Sequence, residues 1–153
     1  MKPRLNLYQA APESIKALIA VENQIQSSGL EQSLIELVRM RASQINGCAY
    51  CINMHTQDAR KQGETEQRLY LLDAWREAPA YTDRERAALA WTEAVTLISE
   101  TRAPDDVYEE LCRHFSPAEA VNLTVLIGAI NTWNRLAIAF RALPPVKAKA
   151  TAA

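Results

Sequence analysis

A long apolar segment near the C-terminus limits how this chain can fold. Ser116, Pro117 and Glu119 combine an N-cap, a proline in the first turn and a capping-box partner. They launch the run AEAVNLTVLIGAINTWNRLAIAFRAL, which Pro144 and Pro145 stop. Ile127, Ile130, Leu136, Ile138 and Phe140 spread around more than one side of its axis. Such a helix is central to its own fold or shared with a neighbouring subunit. One core-spanning helix per domain is common, which makes central burial the simpler reading.

The rest of the chain follows the same grammar. Only 4 Gly and 7 Pro occur, and they separate segments with helical periodicity. Pro12 and Glu13 open PESIKALIAVENQIQSS, which Gly29 closes. EQSLIELVRMRASQI ends at Asn46-Gly47, a pair suited to a left-handed helix stop. CAYCINMHTQDARKQ runs to Gly63, and EQRLYLLDAWREA ends before Pro79. Thr82 with Glu85 forms a capping-box pattern ahead of DRERAALAWTEAVTLISE, and DDVYEELCRHF follows Pro104. Nothing alternates with period two for long enough to require a sheet. The expectation is an all-α fold of six or seven helices in one domain over 1–153. Its core spans about 12–142, and residues 144–153 form a flexible tail.

Composition narrows the class of partner. The 153 residues suit one domain, and 48% hydrophobic content can furnish a core. A net charge of −1, from 17 basic and 18 acidic side chains, offers no general field for nucleic acid or an anionic membrane. The N-terminal residues lack the apolar stretch of a signal peptide, and no run approaches the roughly 20 apolar residues of a membrane span. A soluble, cytoplasmic protein is expected. In that compartment a pair of thiols is more often catalytic or metal-binding than a structural staple.

INGCAYCINMHTQ, residues 45–57, holds two of the three cysteines and one of the two histidines. On a helix Cys48, Cys51 and His55 fall within an arc of roughly 60°, as one stripe at i, i+3 and i+7. Gly47 ends the preceding helix and puts Cys48 at or near the new N-terminus. Unpaired backbone N–H groups there favour a thiolate. Two cysteines and a histidine on one stripe are poorly explained as chance packing. Cys112, alone in EELCRHF, suits a small buried hydrophobe instead.

Zinc is a rival, with Cys48, Cys51 and His55 as ligands and Glu36 or His114 as a fourth. No second CxxC or histidine pair completes the usual pattern. His114, beside Arg113, reads as a surface histidine. Glu36 lies about 15 Å before the Asn46-Gly47 turn and His55 about 12 Å after it, which places them near one level. A Glu–His–Cys chain for proton transfer follows from that register. Glu36 also points away from the stripe of Leu34, Ile35, Val38, Ala42 and Ile45, as a solvated glutamate would.

Glu36, eleven residues, CAYC, three residues and His55 together resemble the carboxymuconolactone decarboxylase superfamily, on its AhpD-like alkylhydroperoxidase side. YTDRERAALAWTEAVT and NTWNRLAIAF continue the likeness, which covers roughly residues 12–142. The resemblance implies an all-helical AhpD-like fold that forms homotrimers or homohexamers. It also implies a peroxidase needing no haem, flavin or metal, recycled by a dithiol or thiol-protein reductant. Carried over by position, Cys51 attacks the hydroperoxide and becomes a sulfenic acid. Cys48 resolves it, and His55 with Glu36 relays protons. The decarboxylase branch typically lacks the cysteine pair. AhpD peroxidases carry a further histidine where this chain has Tyr50, and a phenol with a pKa near ~10 cannot shuttle protons at neutral pH as imidazole does. Alternatives are a redox-sensing or thiol–disulfide interaction protein, and lactone decarboxylation with Glu36 and His55 as acid and base.

Overall fold

The computed structural model describes residues 1–146. Nine α-helices follow one another among these residues, with no strand. They are α1 (Leu7–Ala10), α2 (Pro12–Gln26), α3 (Gln32–Asn46), α4 (Ala49–Lys61), α5 (Glu66–Leu71), α6 (Asp83–Thr96), α7 (Ile98–Thr101), α8 (Asp105–His114) and α9 (Pro117–Phe140). The number exceeds the expected six or seven for two local reasons. Asn6 caps a four-residue α1, accepting from the backbone N–H groups of Tyr8 and Gln9. The segment read as one helix over 83–100 breaks at Leu97 into α6 and α7. The expected tail from 144 to 153 lies, from 147 onward, outside the described residues.

α3 is the central element. Every residue from Leu34 to Met40 is buried. Leu34, Ile35 and Val38 enter a cluster with Ala88 and Trp91 of α6 and Leu123, Leu126 and Ile127 of α9. Leu37 and Met40 enter another with Leu69, Leu72, Trp75 and Leu89. Ala42 joins Cys48, Cys51, Ile130 and Ala137 in a third. A helix packed on three sides must bury its polar side chains too, and these then need partners.

α9 carries the more apolar sequence but is only partly covered. Val121, Val125 and Ile138 are exposed, so central burial describes α3 better than α9. α9 is also long and apolar enough, by length and composition, to cross a membrane, contrary to the expectation that no run comes near. Inside the fold Asn131 and Asn134 reach the end of α3. Asn46 donates from Nδ2 to Asn131 and Asn134 Oδ1, both at 2.9 Å, and Asn134 donates to Ser43 Oγ at 3.0 Å. These bonds fasten α9 to the end of α3, where the turn into α4 begins.

Cys112 departs from expectation as well. It lies exposed on α8, because Leu111 and Val107 take the buried face of that helix.

Candidate active site

The site begins at a shared helix boundary. Gly47 has φ +69°, the left-handed region that glycine adopts without Cβ strain. Its N–H bonds to Gln44 O, and the Cys48 N–H bonds to Ser43 O, closing a Schellman motif on α3. Cys48 then caps α4, its Sγ accepting from the Cys51 N–H at 3.4 Å. One residue therefore ends α3 and starts α4. Cys48 and Cys51 are joined as a disulfide, with Cα atoms 5.4 Å apart. Both are buried, at 1% and 2% exposure, against Ile130, Ala137 and the ring of Trp133.

The two sulfurs are not equivalent. A cavity of about 350 Å³ opens beside the disulfide, and Cys51 lines it whereas Cys48 does not. Its walls include Tyr8 of α1, Tyr50 and Met54 of α4 and Trp133 of α9. Cys51 and His55 are one turn apart on α4, so both face the same space.

The structure brings Glu36 and His55 together. His55 Nδ1 lies 2.8 Å from Glu36 Oε2, with Glu36 only 3% exposed. Glu36 is therefore a buried partner of the imidazole rather than a solvated side chain, since α4, α6 and α9 pack against α3. A carboxylate beside Nδ1 fixes the tautomer that donates from Nδ1, which leaves Nε2 as the basic nitrogen. Glu36 Oε1 accepts from Arg39 Nη1 at 2.8 Å and Gln32 Nε2 at 3.3 Å. Every acceptor on this buried carboxylate thus has a donor.

Three neighbours escaped the sequence reading. Arg39, 7% exposed, also bonds through Nη2 to Glu22 of α2, and Glu22 Oε1 accepts from Trp133 Nε1 at 2.9 Å. Arg39 stands one turn after Glu36, a spacing visible in the sequence. No local pattern signals Glu22 or Trp133, which are 111 positions apart. His114 is elsewhere, bonded to Glu110 within α8 at 3.1 Å. Among the described residues, no three His, Cys, Asp or Glu side chains are grouped to hold a metal ion.

The carboxymuconolactone decarboxylase family model matches residues 12–94. The chain is 45% identical over 139 residues to the uncharacterised protein YdfG of Bacillus subtilis, covering 91% of this chain and 95% of that one. A solved structure from Agrobacterium tumefaciens, of unknown function and described as a candidate antioxidant defence protein AhpD, superposes with a TM-score of 0.93. It has 54% identity and covers 95% of this chain and 100% of that one. The debrominase Bmp8 shares the fold alone, at TM-score 0.79 and 21% identity over 88% of this chain and 72% of its own. With its CxxC disulfide on an AhpD-like helical fold, this chain belongs to the carboxymuconolactone decarboxylase family.

Proposed function

We propose that this chain is a dithiol peroxidase that reduces organic hydroperoxides, with 1–153 acting as one domain. The observation that carries the reading is the asymmetry of the disulfide: Cys51 lines the cavity beside His55, and Cys48 does not. In the reduced form His55 Nε2 takes the Cys51 thiol proton, and Glu36 stabilises the imidazolium through Nδ1. The thiolate attacks the outer oxygen of ROOH, and the O–O bond breaks. Cys51 becomes a sulfenic acid, and the alkoxide takes a proton from His55 to leave as ROH. The Cys48 thiol then attacks Sγ of Cys51, forming the disulfide and releasing water. An external dithiol returns the two electrons.

Lactone decarboxylation is less well supported. A carboxylated lactone needs a free cation. Arg39 is the guanidinium of this cavity among the described residues, and Glu22 and Glu36 already hold it. Tyr50, exposed at the rim of the cavity, stands where AhpD peroxidases carry a histidine, so His55 is the single imidazole of the proposed relay. The aromatic walls Tyr8, Tyr50 and Trp133 favour a second reading, reductive debromination of a neutral bromoaromatic, in which the same dithiol becomes a disulfide as Ar–Br yields Ar–H and HBr.

The exposed Val121, Val125 and Ile138 of α9 fit assembly into a homotrimer or homohexamer. The expected compartment is the cytoplasm, where a thiol-protein reductant is at hand. Hydroperoxide consumption with several dithiol donors tests the reading. Wild type should turn over, and Cys51→Ser should lose consumption altogether. Oxidation of the pair without turnover would favour a redox sensor. Undiminished consumption by Cys51→Ser would overturn the assignment.

A further inference from the structure

The cavity wall carries a second layer of charge behind His55. Arg39 is clamped between two carboxylates, Glu36 on its own helix and Glu22 on α2. Trp133 of α9 holds the far oxygen of Glu22. Bonds thus run Trp133, Glu22, Arg39, Glu36, His55 across four helices, and each carboxylate turns a different oxygen to the two groups beside it in that series.

We infer that Arg39 and Glu22 are positioning residues that set the basicity of His55 through Glu36, and that they act with opposite sign. The inference rests on reading His55 as the group that takes the thiol proton. An ionised Glu36 at Nδ1 favours the imidazolium. The Arg39 cation, bonded to the same carboxylate, opposes it, and the Glu22 anion cancels part of the Arg39 charge. The arrangement holds Glu36 aimed at the ring while the Arg39 cation tempers the pull of that carboxylate on the imidazolium. A general base works best with its pKa near the operating pH.

Other groups around the ring do not reproduce this pattern. On α4, Asp58 is paired with Lys61 at 2.8 Å, and Tyr50 and Cys51 are the remaining titratable neighbours. α1 contributes Tyr8 to the cavity, α3 adds the neutral Gln32 at Glu36, and α9 offers Trp133, Ile130 and Ala137 with no charge. The fixed charges behind Glu36 are therefore Arg39 and Glu22.

The test is an NMR titration of the His55 ring in the reduced protein without hydroperoxide, assigned against His114→Gln. Removing the cation in Arg39→Met should raise the His55 midpoint by about one pH unit, and removing the anion in Glu22→Gln should lower it by a similar amount. Arg39→Lys should restore most of the wild-type midpoint. General loosening of the packing would not move two neighbouring variants in opposite directions. If Arg39→Met fails to fold, Glu22→Gln and Arg39→Lys carry the test. An unmoved or raised midpoint in folded Glu22→Gln overturns the inference. Because no peroxide is used, opposed shifts in a protein without peroxidase turnover would refute the functional reading and leave this one standing. Turnover with unmoved midpoints would do the reverse.

Discussion

Substituting alanine for Gly47 should destabilise the protein, whereas the same change at Gly128 should not. No atom lies within 4 Å of a Cβ built at either position, so neither variant meets a clash. The difference is in the backbone. Gly47 has φ +69°, while Gly128 lies inside α9 with no positive φ. A left-handed alanine costs about 1–2 kcal/mol, and replacing a mid-helix glycine by alanine gains roughly 0.5–1 kcal/mol. In a chain of this size 1 kcal/mol shifts Tm by about 2–4 °C. Gly47→Ala should therefore melt about 2–8 °C lower, and Gly128→Ala should melt 1–4 °C higher, by these same estimates. Calorimetry on the oxidised protein measures both. Gly47→Ala should also slow re-closure of the disulfide after reduction, because the residue after Gly47 both ends α3 and caps α4. A neutral or stabilising Gly47→Ala would refute the claim that this turn depends on its left-handed glycine.

Further outcomes follow from other parts of the fold. Burial pushes the Glu93 carboxyl up, but hydrogen bonds from Trp75 and Arg76 and the charge of Arg41 outweigh it, holding Glu93 below the usual range. Its stabilisation is then full above the unfolded value of about 4.3 and fades as pH falls through the lower folded value. The gap in urea midpoint between wild type and Glu93→Gln should accordingly be widest near neutrality and close in acid. A constant gap would contradict this. Arg141 closes α9 at φ +59°, so Arg141→Gly should raise stability by roughly 0.5–1 kcal/mol in urea denaturation. Light scattering should find an oligomer, and Val125→Asp on the exposed α9 face should shift it toward single chains. A wild type that already runs as a single chain at micromolar concentration would sink that proposal.

Helix ends were the most legible part of the sequence. Thr82 with Glu85 and Ser116 with Glu119 both form complete capping boxes, and Asn46-Gly47 makes the expected left-handed stop. Such signals are local, so a single stretch contains them. The break at Leu97 was not legible. Arg102 and Ala103 follow it at positive φ without a glycine to mark the change, held by packing and by Thr101 Oγ1 donating to Ala94 O. Burial of Glu36 was equally hidden. Its register with His55 could be worked out from the turn, but α6 and α9, which complete the packing around α3, come from distant segments. Arg39 could have been read from its place one turn beyond Glu36. Glu22 and Trp133 could not, because only the packing of α2 on α9 brings them together.

The most direct test of the account is which sulfur the oxidant reaches first. In a Cys112→Ser background, reduced Cys48→Ser and Cys51→Ser variants would each receive one equivalent of hydroperoxide with dimedone present, followed by peptide mass spectrometry. The account predicts a dimedone adduct on Cys51 in the Cys48→Ser protein, because Cys51 lines the cavity beside His55, and no adduct on Cys48 in the Cys51→Ser protein. An adduct on Cys48 with none on Cys51 would contradict it.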